Sequence, residues 1–239
     1  MIPLRDTIRS RHFPLVTWLI LGANAIVFLF QLTLGYDDLD YFVSLYALVP
    51  ADWFEDPLWF TITLFTSMFM HAGWFHFLSN MWILYIFGDN VEDRMGPIGF
   101  ISFYLLSGVA AGLLQTFIAP FSEVPVLGAS GAIAGIMGAY ILLHPRARVV
   151  TLIPIFFIFT TINIPAIFYL GFWFISQLFS GLASLGAMSM GGVAWWAHIG
   201  GFLVGLLISR LFYWRPKPIP EPWSPYRVIE IPPKDPRWQ

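Results

Sequence analysis

Charged residues punctuate this chain so sparsely that the gaps between them outline its elements. No charge falls between Arg11 and Asp37, and residues 15–34 match the roughly 20 apolar residues a helix needs to cross a bilayer. From Pro57 to Gly88 the chain is again uncharged, over 32 residues. That is too long for one crossing and too short for two, so a membrane-embedded loop is expected ahead of a helix at 75–88. Residues 97–119 predict a third span and 128–143 a fourth. Positions 149–209 then run 61 residues without a charge. They must hold two spans, at 163–183 and 193–212, with the weakly apolar, Gly- and Ser-containing stretch 184–192 as the break. The expected fold class is all-α: a polytopic bundle of six transmembrane helices with a membrane-embedded first outer loop.

Composition sharpens this picture. The 239 residues are 58% hydrophobic and 11% charged, against about 25% charged in soluble domains. A net charge of −2 and 18% aromatic residues exclude a disordered chain, collagen and a nucleic-acid partner, and leave the lipid bilayer as the surroundings. The absence of cysteine removes disulfides and thiolate zinc sites. With six spans and the N-terminus inside, all 12 Lys and Arg residues fall on inner segments. The outer loops hold Asp37, Asp38, Asp40, Asp52, Glu55, Asp56 and Glu123 instead. This asymmetry predicts a multi-pass protein of the cell membrane with both termini cytoplasmic. Residues 15–34 are too long for a cleavable signal peptide and lack a small-residue cleavage site. Three regions are expected: a cytoplasmic segment 1–14, the membrane domain 15–214, and a flexible cytoplasmic tail 215–239 holding eight of the 18 prolines.

Polar groups at bilayer depth are costly, so each needs a reason. His71, His76 and Asn80 lie in HAGWFHFLSN, entering the second span. Ser130 lies in GASGAIAG, which Gly128 opens, at the start of the fourth. His198 lies in AHIGGFLVG, at the start of the sixth. These three spans all run from outside to inside, so their first turns share one depth. His76 and Asn80, spaced i, i+4, share a helix face. Each residue alone has a plainer reading, as packing surface, interfacial anchor or interhelical hydrogen bond. The GxxxG pairs Gly131/Gly135 and Gly201/Gly205 are packing signals, and a close approach of the fourth and sixth spans is also what brings Ser130 to His198.

A serine hydroxyl becomes a nucleophile when an adjacent base takes its proton. Both lysines lie in the tail and no carboxylate lies in the outer halves of the spans, so His198 is the best-placed base and the site reads as a Ser-His dyad. His76, Asn80 and the free backbone N–H of Ser130 at a helix start are candidate oxyanion donors. No His-Glu-x-x-His string is present. A metal set of His71, His76 and His198 is possible but leaves Ser130 and Asn80 unexplained.

Together HAGWFHFLSN, the following GDNVEDRMG, the GASG around Ser130 and AHIGGFLVG resemble the rhomboid family of intramembrane serine proteases. The resemblance implies Ser130 as nucleophile, His198 as general base, and His76, Asn80 and the Ser130 amide around the oxyanion. It implies that His71 helps order water, that Glu92 anchors the inner end of the second span, and that Gly201 and Gly205 pack the sixth span on the fourth. It further implies single-span or other membrane-anchored protein substrates, cut near a small residue, with no metal or organic cofactor. A relative lacking catalysis that binds membrane-protein clients is the alternative. Two departures stand out. The loop over residues 35–66 contains no arginine, where many members have a Trp-Arg pair. Ala134 replaces the aromatic residue that many members pack on the catalytic histidine, leaving Trp195, Trp196 and Tyr140 as candidates to hold His198.

Overall fold

The computed structural model describes residues 1–155, 158–186 and 192–213. Strand β1 (Ile2–Asp6) leads into helix α1 (Leu15–Thr33), followed by three short helices, α2 (Tyr36–Tyr46), α3 (Asp52–Glu55) and α4 (Pro57–Thr66). Then come α5 (Trp74–Ile118), α6 (Ser130–Leu143), a hairpin of β2 (Arg148–Ile155) and β3 (Ile158–Pro165), α7 (Ala166–Gly186) and α8 (Trp195–Ile208). Among the described residues four helices are long and apolar enough to cross a membrane: Leu15–Thr33, Trp74–Ile118, Ala166–Leu185 and Trp195–Phe212.

The expected division between residues 75–88 and 97–119 is present inside α5. Gly96 adopts φ 71°, a left-handed conformation that costs glycine little, and Pro97 cannot donate to the preceding turn. The chain reverses there, since His76 near one end of α5 and Gln115 near the other both lie at the level of Ser130.

Helix α1 buries one stripe, Val16, Ile20, Asn24, Phe28 and Gln31, spaced three or four apart as one helix face requires. Its other face exposes Trp18, Leu19, Ile26, Leu29 and Phe30, an apolar surface suited to lipid rather than water. Helix α6 is different. Eleven of its 14 residues are buried, so it is the central element. At 1.5 Å per residue it is about 21 Å long, short of the roughly 30 Å of hydrocarbon, which a helix wrapped by its neighbours tolerates.

A small sheet departs from the all-α expectation. β1, β2 and β3 form an antiparallel sheet in that order, with Asp6 opposite Val149 and Val150 opposite Asn163. The segments RVVTLIPI and IFTTINIP are rich in Val, Ile and Thr, which favour strands. Lack of charge does not distinguish a buried strand from a helix, and so Asn163, expected to begin a span, lies in β3, and α7 starts at Ala166. The N-terminal segment 1–14 contributes β1. The tail 215–239 lies outside the described residues, as do positions 187–191 of the expected break.

At the sheet end, the buried Asp6 carboxylate accepts from the Tyr140 hydroxyl and from Asn90 Nδ2 at 2.8 Å. Burial pushes the Asp6 carboxyl up to about 6; the Tyr140 hydrogen bond opposes the rise and Asp89 adds to it. A carboxyl raised in the folded state contributes stability that is full below its unfolded value of 3.8 and is lost as pH rises through about 6. Asp6→Asn keeps an acceptor and removes the charge. Thermal melts in detergent should therefore show the variant more stable than wild type at pH 8 and level with it near pH 4. The ceiling is about 3 kcal/mol, reduced to about 1–2 by water reaching part of the group. A stability difference that stays constant with pH would contradict this.

Candidate active site

Three helix starts meet at the end of the bundle opposite the sheet. Ser130 is the first residue of α6, so the N–H groups of its turn have no partner within the helix. The approach to it depends on Gly128, which has φ 125° and donates its N–H to the Ser67 carbonyl at 2.9 Å. A Cβ at Gly128 would stand 2.7 Å from both His76 Nε2 and Cε1 and 3.6 Å from Ser130 Oγ. Glycine there lets the His76 ring lie against the loop backbone that leads to Ser130. His76 Nδ1 accepts a long bond from the Ala72 N–H, 3.4 Å, so a neutral ring carries its proton on Nε2, the atom facing Gly128.

His198 enters in the first turn of α8, whose Ala197 N–H donates to Gln115 Oε1 at 3.3 Å. His198 Nε2 and Ser130 Oγ are 2.9 Å apart. The helices bearing them are held together by glycine. A Cβ on Gly201 would overlap the Gly131 carbonyl oxygen, and one on Gly205 would overlap that of Gly135. Close backbone approach of this kind is what small residues permit between membrane helices.

Asn80 is buried on α5, and its Nδ2 has no hydrogen-bond partner among the described residues. His71 is also buried, edge-on to His76 with ring centroids 5.1 Å apart and to Phe77 at 5.4 Å. Its backbone is held on both sides by Gln31, which accepts from the His71 N–H at 3.0 Å and donates to the His71 carbonyl at 3.3 Å. Glu92 lies away from this group, near the other end of the bundle. Its carboxylate accepts from the Val16 and Thr17 N–H groups at 2.9 and 2.7 Å and from the Thr17 hydroxyl at 2.8 Å. It thereby caps α1, since Pro14, the residue just before the helix, supplies no side-chain cap.

Two residues beside His198 escape the sequence reading. Gln177 Oε1 lies 2.8 Å from His198 Nδ1, and the Trp173 ring lies against the imidazole at 5.8 Å, inclined by 36°. Both come from α7. Of the aromatic candidates, Trp195 meets the ring edge-on at 6.2 Å, whereas Tyr140 points to Asp6 at the opposite end. The available signal was Gln177 itself, an amide within a helix otherwise made of apolar and small residues.

A hydroxyl beside an imidazole acceptor, at a helix start with free amides, is an arrangement suited to nucleophilic attack on a carbonyl.

Residues 58–215 match the family model of the Rhomboid domain. Over 121 residues the chain is 35% identical to Rhomboid-like protein 11, chloroplastic, of Arabidopsis thaliana, covering 50% of this chain and 42% of that protein. It is 28% identical over 199 residues to Rhomboid protein 1, mitochondrial, of Saccharomyces cerevisiae, covering 80% and 51%. It is 32% identical over 103 residues to Presenilin-associated rhomboid-like protein, mitochondrial, of Bos taurus, covering 41% and 26%. The chain thus spans about half the length, or less, of these relatives.

Proposed function

Because this chain belongs to the rhomboid family, we propose that it is an intramembrane serine endopeptidase in which Ser130 is the nucleophile and His198 the base. The observation that carries this reading is the 2.9 Å hydrogen bond between Ser130 Oγ and His198 Nε2, a contact that a client-binding protein without catalysis does not need. Ser130 Oγ attacks the substrate carbonyl as its proton passes to His198 Nε2. The oxyanion is held by the Ser130 amide, His76 Nε2–H and Asn80 Nδ2, which gives the unpartnered Asn80 donor its acceptor. The leaving amine takes the proton from His198. Water then attacks the acyl ester as its proton passes to His198, and His198 returns that proton to Ser130 Oγ as the ester bond breaks and the acid product leaves.

Within this reading the bundle crosses the membrane six times, the two arms of α5 counting separately, and residues 35–66 form the membrane-embedded outer loop. His71 lies behind His76 and helps order water. Substrates are single-span or other membrane-anchored proteins cut near a small residue. Cytoplasmic placement of both termini, and of a tail at 215–239, rests on the distribution of Lys and Arg. The relatives carry mitochondrial and chloroplastic names, which give no support to the cell membrane as the compartment.

The test is cleavage in liposomes of a panel of single-span substrates, together with labelling by a fluorophosphonate. Label on Ser130 and activity unaffected by EDTA are expected. An adduct mapped to another residue, or activity lost in EDTA and restored by zinc, overturns the assignment.

The oxyanion role makes a graded prediction. Removing one such donor costs about 2.7–4 kcal/mol, or roughly 10²–10³ in rate, and the loss falls on kcat because the donor acts on charge formed in the transition state. Asn80→Ala should fall near the lower end, since other donors remain. His76→Ala should be at least as damaging, because the ring also fills the space beside Gly128. If both variants keep the wild-type kcat and raise only KM, these side chains are substrate contacts instead.

A further inference from the structure

The hydrogen bonds around Gln177 have a direction that fixes the proton on His198. The Ser176 hydroxyl donates to the Trp173 carbonyl at 2.6 Å, so its oxygen is left as an acceptor. Gln177 Nε2 lies 3.1 Å from that oxygen and 3.4 Å from the same carbonyl. Both neighbours call for a donor, and the amide nitrogen supplies it. The amide oxygen is thereby turned toward His198 Nδ1, 2.8 Å away. An amide oxygen only accepts, so Nδ1 must carry the ring proton and Nε2 presents its lone pair to Ser130 Oγ. The side chain doing this is 6% exposed, and Trp173, one turn earlier on α7, lies against the imidazole ring.

We propose that Gln177 is the positioning residue of the Ser130–His198 dyad, selecting the His198 tautomer and aiming Nε2 at the serine. This rests on the dyad assigned above. In triads a carboxylate holds the histidine in this way. Here a neutral amide does so, in a place where a carboxylate would be an added buried charge. It also replaces the ring stacking that Ala134, fully buried in α6, cannot provide. Charge around the imidazole is sparse. Helices α6, α7 and α8 contain no Asp, Glu, Lys or Arg, and the titratable group of α5 whose charge reaches His198 is His76.

The test measures kcat, KM and the pH dependence of kcat in liposomes for wild type, Gln177→Leu, Gln177→Glu and Ser130→Ala. Without the acceptor the ring is free to turn and to take the other tautomer, and misplacement of this order costs roughly 10–10² in rate. Gln177→Leu should therefore lose that factor in kcat with KM unchanged. Gln177→Glu restores an acceptor and should recover most of the loss. Its acid limb should move to higher pH, because a carboxylate beside Nδ1 favours the imidazolium form that cannot act as base. A thermal melt accompanies each variant. If Gln177→Leu does not fold, the Gln177→Glu profile decides alone. An inactive Ser130→Ala with a wild-type kcat in Gln177→Leu, or an unshifted acid limb in Gln177→Glu, overturns the positioning role and leaves the dyad standing. Continued cleavage by Ser130→Ala removes the dyad, and the positioning role with it.

Discussion

Ser130→Ala and His198→Ala should each reduce cleavage to background while the protein stays folded and inserted. The side chains touch each other at 2.9 Å, and each is useless without its partner: the hydroxyl is a poor nucleophile until its proton leaves, and the imidazole has nothing else to activate. Groups that work as a unit are strongly non-additive; losing either member of such a pair costs up to roughly 10⁶ in kcat, about as much as losing both. The double variant should therefore be no slower than either single one. Neither substitution opens a large core void, because Ser130 and His198 are only partly buried, so melting temperatures should move little. Single-turnover cleavage in liposomes measures the loss. Near-wild-type turnover by either alanine variant would sink the assignment of the dyad.

Gly205→Ala and Gly201→Ala should come next in size, by a different route. At Gly205 a methyl would overlap the Gly135 carbonyl oxygen and stand 2.6 Å from that residue's Cα and carbonyl carbon. At Gly201 it would overlap the Gly131 oxygen. These neighbours are backbone of a buried helix and cannot rotate aside, so α6 and α8 must separate. Overpacking typically costs about 1–3 kcal/mol. Separation also draws Ser130 away from His198, and a shift of about 1 Å costs on the order of 10²-fold in rate. Gly22→Ala and Gly171→Ala are the controls. Both glycines lie inside helices with nothing within 4 Å of an added methyl, and alanine is favoured over glycine in a helix by about 1 kcal/mol. Those variants should keep activity and melt at or above wild type. Equal melting temperatures and activities across all four variants would mean that the close approach does not hold the site together.

The parts of the site that could be read from the sequence are those fixed by position along the chain. Ser130, His198 and His76 each sit within a turn of a helix start, and helices running the same way bring such residues to one level. The glycine spacings pointed to the contact that joins two of them, and the charged stretch between residues 88 and 97 marked the division within α5. The remainder depends on which side chains face one another. Gln177 occurs in mid-helix, where a lone amide looks like ordinary interhelical glue, and only the meeting of α7 with α8 gives it His198 as partner. Tyr140 fails as a neighbour of His198 because it lies ten residues beyond Ser130, about 15 Å along α6. The strands β2 and β3 were obscured because hydropathy measures apolar content, while the β-branched residues that favour extended backbone are equally apolar.

The cap on α1 ties events together in time as well as in space. The match to the Rhomboid domain begins at residue 58, downstream of α1, yet the first amides of α1 are satisfied by Glu92 and its far end grips His71 through Gln31. During synthesis α1 is complete long before Glu92 has been made. Until then its opening amides must stay where water or headgroups can serve them, because bare hydrocarbon leaves such groups unpaired at a cost of several kcal/mol each, roughly. The opening amides of the first helix are therefore held at the membrane boundary until α5 arrives, and the folded unit reaches back beyond the residue at which the family model begins.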